Sequence, residues 1–182
     1  MKKIVLCFSF AALLLSCNND KDDKTAASTS DTTAMSAPMS MASMPYTASY
    51  SCNWSENISD ADLKTVLTTY KDWADGNISN LGAAMADSVW VDYSSGGHFS
   101  GTNAELMKVW STYRDSLSSV TIDMQAWRKM YSTDKKEGSV VTWYKEIDTY
   151  KTGKVDSAYY SDINMLKDGK ISWYSSYKRP AK

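Results

Sequence analysis

The chain of 182 residues holds one histidine, His98, and three cysteines, Cys7, Cys17 and Cys52. His98 lies in a stretch that also contains Gly96, Gly97 and Gly101. An imidazole in such a loop can act as a base near neutral pH; the alternative is a solvent-exposed ring with no role. Met35, Met39, Met41 and Met44 cluster upstream. Thioethers suit Cu(I), but a lone histidine and the lack of a nearby cysteine favour a low-complexity linker that happens to use methionine. No group of His, Cys and carboxylate has metal-ligand spacing, so neither a metal nor a cofactor is expected. A formal net charge of -1 removes the electrostatic case for nucleic acid.

The elements that would position these groups follow from periodicity. Ser59 is an expected helix N-cap, with Asp62 three residues on. Leu63, Val66, Leu67, Tyr70, Trp73 and Ala74 then recur at helical spacing until Gly76-Asn77 stops the helix. A shorter helix over 78–86 carries Ile78, Leu81 and Met85 on one side. Residues 88–93 read as a strand, with Trp90 and Asp92 on one face and Val89 and Val91 on the other. Residues 94–101 form a glycine-bearing loop. Thr102 and Glu105 make a second capping box, opening a helix with Leu106, Val109, Trp110, Tyr113 and Leu117.

Beyond that point the period changes to two. Residues 119–131, 139–151, 155–166 and 170–178 alternate and are rich in Val, Ile, Tyr and Trp, with turn signals at Gly138, Gly153 and Gly169. Short connections imply antiparallel hairpins. Helices followed by a meander argue an α+β fold, its helices packed on one face of a curved antiparallel sheet. Alternation separates Trp143 from Tyr144 and Trp173 from Tyr174, so one of each pair should face outward. On the third strand of the meander, Val155, Ser157, Tyr159, Ser161, Ile163 and Met165 share a face. That face is expected to look inward, being the more apolar near its end. All 7 Trp fall within residues 54–182. Such rings can stack on sugars or small apolar ligands, although strand propensity and core filling also account for them.

The N-terminus states an address. Lys2 and Lys3 precede an apolar run from Ile4 to Leu15, and Ser16-Cys17 follows at once. The run is shorter than the roughly 20 residues of a membrane span and fits the apolar region of a signal peptide. The whole resembles the bacterial lipoprotein signal. That resemblance implies cleavage before Cys17 and lipidation of Cys17, which tethers the mature protein to a membrane. Residues 1–16 are then the signal peptide and 17–53 the lipidated cysteine with a disordered, Ser/Thr/Met-rich tether. A flexible coil of about 35 residues spans about 30–35 Å on average. Lys21-Asp22-Asp23 resembles the export signal of surface lipoproteins in the Bacteroidetes, with a merely solvated tether as the alternative. The expected location is the cell envelope, at the outer membrane. Only Cys52 remains in the mature chain, so no intramolecular disulfide can form.

Residues 55–179 resemble the nuclear transport factor 2-like superfamily, specifically its SnoaL-like domains. Tyr70 and Trp73 end the first helix just before Asp75-Gly76-Asn77. The run from Met85 to Asp92 matches the family's strand entry, Gly101 its loop glycine, and Lys167-Asp168-Gly169-Lys170-Ile171 its last hairpin. The resemblance makes 54–182 a SnoaL-like domain: a cone-shaped curved sheet wrapped around helices, with a ligand pocket. Tyr70, Trp73, Trp90, Asp92, Trp110 and Tyr159 are the expected pocket residues. The superfamily includes ketosteroid isomerase, whose proton-shuttling aspartate is matched by Asp92 and one oxyanion-donating tyrosine by Tyr70. Its second donor, an aspartic acid, is replaced here by Tyr159. Asp92, Tyr70, Tyr159 and His98 are therefore the candidate catalytic groups. The superfamily also builds homodimers through this sheet. Three functions remain open: binding of a small, partly apolar ligand at the envelope, a cofactor-free isomerase or lyase, and a dimerisation or interaction module.

Overall fold

The computed structural model describes residues 44–181. The leader, Cys17 and the methionines Met35, Met39 and Met41 lie outside the described residues. The elements run β1 (Trp54–Ser55), α1 (Asp60–Asp75), α2 (Ile78–Ala84), β2 (Met85–Asp92) and β3 (His98–Thr102), followed by α3 (Asn103–Arg114), β4 (Leu117–Ser132), β5 (Glu137–Tyr150), β6 (Val155–Lys167) and β7 (Lys170–Pro180). They form an α+β fold with one curved seven-stranded sheet in the order β1-β4-β5-β6-β7-β2-β3. Neighbouring strands are antiparallel except β2 and β7, which run parallel. Among the described residues, no helix is long and apolar enough to cross a membrane.

Local chemistry sets the helix ends. Ser59 caps α1 by accepting from the Asp62 N–H at 3.0 Å. Gly76 ends the helix at φ 78°, a left-handed conformation that glycine adopts without steric cost. Thr102 and Glu105 form the expected reciprocal capping box on α3. Arg114, in the last turn of α3, donates from Nε to Trp73 O and from Nη2 to Ala74 O, both at 2.9 Å. One guanidinium thereby satisfies two carbonyls at the C-terminus of α1 and joins the two helices.

The core lies between α1, α3 and the concave face of the sheet. Val66, Val91, Leu106 and Val140 are fully buried there. Each such side chain contributes about 1.5–3 kcal/mol over leaving it exposed. At Gly138 an added Cβ would crowd Ile58 Cδ1, so the end of β5 packs closely under the segment before α1 and a larger residue there would make the Ile58 side chain shift.

Several details differ from the sequence expectations. The stretch 94–101 is not all loop: a turn at Gly96 (φ 87°) lets His98 begin β3, which pairs with β2. Leu117, expected on the third helix, opens β4 instead and is 3% exposed. The inward face of β6 is the opposite of that expected. Ala158, Asp162 and Asn164 are buried, and Tyr159, Ile163 and Met165 belong to the outer face. The physical reason is that Asp162, through Oδ2, and Asn164, through Nδ2, find hydrogen-bond partners across the core, which offsets the penalty that favoured the more apolar face. As expected, the paired aromatics divide between faces: Tyr144 and Tyr174 point in, Trp143 and Trp173 out. On β7 a bulge sets this orientation. Two steps from Ile171 to Trp173 oppose one step from Leu166 to Met165, so the alternation reverses after Ser172.

Candidate functional site

The concave face of the sheet, α1 and α3 bound a half-open cavity of about 520 Å³. That lies within the roughly 300–1,000 Å³ typical of small-molecule sites. Its walls are aromatic. Trp73 of α1 stacks on Tyr113 of α3 at 6.0 Å and 4° between planes. Tyr144 of β5 stacks on Tyr160 of β6 at 5.3 Å, and Trp110 of α3 meets Tyr174 of β7 edge-on at 6.1 Å.

The floor is a buried hydrogen-bonded network centred on Asp162. Its Oδ2 accepts from the hydroxyls of Tyr144 at 2.7 Å, Tyr174 at 2.8 Å and Tyr70 at 3.1 Å. The Tyr70 and Thr142 hydroxyls share a hydrogen bond of 2.6 Å, and Asn164 Nδ2 donates to Tyr70 Oη at 3.0 Å. Burial drives the Asp162 carboxyl above its ordinary range, opposed by the hydroxyl donors around it. Burial likewise holds the phenols of Tyr70, Tyr144 and Tyr174 well above 10, with the Asp162 charge adding to it. These hydroxyls are engaged with one another and with Asp162, which makes the floor rigid and specific in shape.

Higher on the wall stands Glu146 of β5, 8% exposed and facing the cavity. Burial first, then the charges of Asp148 and Asp162, push its carboxyl up to about 8. Lys178 and the Trp73 indole oppose that shift. Asp148, two residues on along the same face, is also raised by burial; its Oδ2 accepts from Tyr113 at 3.1 Å. Lys178 completes this side, its ammonium 3.2 Å from Asp156 and 5.6 Å from the Tyr160 ring centroid. Chemically the cavity offers an apolar, aromatic enclosure with one accessible carboxyl that changes charge near neutral pH. Among the described residues there is no group of three or more His, Cys, Asp or Glu placed to hold a metal ion.

Solved structures share this arrangement of elements. A SnoaL-like protein from Jannaschia sp. superposes with a TM-score of 0.54 at 11% identity, covering 67% of this chain and 88% of its own. A ketosteroid isomerase-like protein from Erwinia carotovora atroseptica gives 0.54 at 14% identity, covering 66% and 95%. An epoxide hydrolase of the LEH-like type from M. tuberculosis gives 0.54 at 9%, covering 65% and 83%. The fold is that of NTF2-like and SnoaL-like proteins. No family model and no curated protein sequence matches the chain.

Within this NTF2-like fold the residues singled out from sequence divide into two groups. Tyr70, Trp73 and Trp110 line the cavity. Asp92, Trp90, His98 and Tyr159 do not, and the structure corrects their expected position. Val89 and Val91 take the inward face of β2, which turns Trp90 and Asp92 to the outer side. There Asp92 accepts from the indoles of Trp90 at 2.7 Å and Trp173 at 2.8 Å, and His98 stacks on Trp90 at 5.4 Å. Tyr159 is also outside, with the Arg179 guanidinium 4.7 Å from its ring centroid. Of the expected donor pair only Tyr70 is at the cavity, and its hydroxyl is already committed to the floor network.

Glu146 and Asp162 were missed in the sequence. One signal was readable for the first. Val140, Thr142, Tyr144, Glu146 and Asp148 share a face of one strand, so two carboxyls continue a face that begins with core residues. Asp162 gave no such signal, because it alternates with the apolar residues that suggested the wrong face.

Proposed function

We propose that this chain is an envelope lipoprotein, anchored through Cys17, whose NTF2-like domain binds a small, partly apolar molecule. The observation that carries the binding role is the half-open aromatic cavity of about 520 Å³. A cavity this large inside a small domain forfeits packing contacts, so its upkeep points to an occupant. The anchor rests on Lys2, Lys3, the apolar run and Ser16-Cys17. Native mass spectrometry of the full chain purified from its own host tests the binding role, with 2-naphthol titration as a second arm. The expected result is a small adduct released on denaturation, or saturable 2-naphthol binding weakened when Trp110 is replaced by alanine. A chain that carries no adduct and does not bind 2-naphthol overturns the reading.

A second reading, a cofactor-free isomerase or lyase, is favoured by Glu146. A buried carboxyl held at about 8 beside an apolar enclosure is suited to general acid–base work at neutral pH. In this reading Glu146 takes the part first expected of Asp92, which lies on the other side of the sheet.

A further inference from the structure

Carboxyls outnumber cations around the cavity, where among the described residues Lys178 is the one cation on the wall. Three carboxyls stand on it or directly behind its wall: Glu146, Asp148 and Asp162, all buried. The cations nearby are already engaged. Lys178 pairs with Asp156, and Arg114 is directed at the carbonyls of Trp73 and Ala74. Among the described residues Glu146 makes no ion pair. Asp148 Oδ1 is buried with no hydrogen-bond partner. The walls beside these carboxyls are ring faces, which attract cations through their quadrupole. The chain itself displays that attraction, since the Lys178 ammonium sits over Tyr160 at the edge of the cavity.

We propose that the cavity takes a ligand bearing a protonated amine on a ring-containing apolar body, with the ammonium against Glu146 and the body along the aromatic wall. This rests on the cavity being the ligand site. The groups that face Glu146 are Trp73 from α1, Tyr144 and Asp148 from its own strand, Asp162 and Tyr160 from β6, and Lys178 from β7. In the free protein, burial and the two neighbouring carboxyls keep Glu146 largely protonated at neutral pH. An arriving ammonium adds to the partial counter-charge of Lys178 and favours the carboxylate, so the Glu146 proton is released to solvent as the ion pair forms. The ligand stays charged throughout, because an alkyl ammonium loses its proton only far above neutrality.

Calorimetric titration of the full chain with tryptamine and with its uncharged isostere 3-propylindole tests the proposal. Tryptamine should bind about tenfold or more tighter than the isostere at pH 8. Near pH 7 its binding enthalpy should depend on the buffer in the sense of proton release, an effect the isostere lacks. Glu146→Gln should abolish both the preference and the proton release, with circular dichroism confirming that the variant is folded; Asp92→Asn, on the outer face, should keep both. Equal affinity for the two probes, or tryptamine binding without proton release in the native chain, overturns the amine assignment. If 2-naphthol still binds in that case, the cavity reading survives. A tryptamine preference that persists in Glu146→Gln removes Glu146 from the role. Failure of all three probes to bind overturns the amine assignment, and with no adduct on the chain purified from its host it overturns the cavity reading as well.

Discussion

Replacing Glu146 by glutamine should stabilise the ligand-free protein at neutral and alkaline pH. The carboxyl titrates at about 8 in the folded chain against an ordinary 4.5. Below pH 4.5 it is protonated in both folded and unfolded states and has no effect on stability. Between 4.5 and 8 the unfolded chain ionises while the folded chain keeps its proton. The folded state then binds more protons, and stability falls as pH rises. Each pH interval of one costs about 1.4 kcal/mol, so the full range amounts to roughly 5 kcal/mol and the part reached at pH 7 to about 3 kcal/mol. Glu146→Gln cannot ionise and escapes this cost. Asp148 and Asp162 are raised in the same direction, so the quantity to compare is the difference between native and variant chains. Urea unfolding from pH 4 to 9 should show the two nearly equal at pH 4 and separating steadily above pH 5. Parallel curves across that range would refute the argument, as would a carbon-13 titration placing the Glu146 carboxyl in the ordinary carboxylate range.

Other expectations follow from the same geometry. Asp162→Ala leaves the hydroxyls of Tyr70, Tyr144 and Tyr174 without their common acceptor and should destabilise by about 3 kcal/mol or more, read by urea unfolding. Arg114→Met removes both hydrogen bonds to the end of α1 and should cost about 2–3 kcal/mol, with a lower urea midpoint as the readout. Trp90→Ala should leave 2-naphthol affinity unchanged because Trp90 lies outside the cavity, whereas Trp110→Ala should weaken it; calorimetry distinguishes the two. Cys17→Ala should move the protein from the membrane fraction to the soluble fraction in its own host, checked by immunoblot.

Most of the element order was legible because it rests on local physics. Ser59, Gly76 and the Thr102–Glu105 box mark helix ends through short-range hydrogen bonds, and the strands of the meander announce themselves by alternation and glycine turns. The site was legible only in part. Tyr70, Trp73 and Trp110 lie on helices whose buried stripe is readable from spacing, and all three reach the cavity. Asp92 and Tyr159 lie on strands, where a residue's side of the sheet is set by register and by which face finds partners.

The sequence alone therefore determines where the long helices begin and end, that a meander of long strands follows them, and, along an unbulged strand, which side chains share a face. These depend on neighbours within a few positions along the chain. Which face of each strand becomes the inside is decided only in the tertiary structure. On β7 the bulge at Ser172 reverses the alternation and sends Tyr174 inward and Trp173 outward. On β6 the more polar face is buried because Tyr70 from α1, Tyr144 from β5 and Tyr174 from β7 converge on Asp162. A carboxylate is costly to bury without partners and acceptable with three donors. Those donors come from positions far apart in the chain, so only folding brings them to one atom.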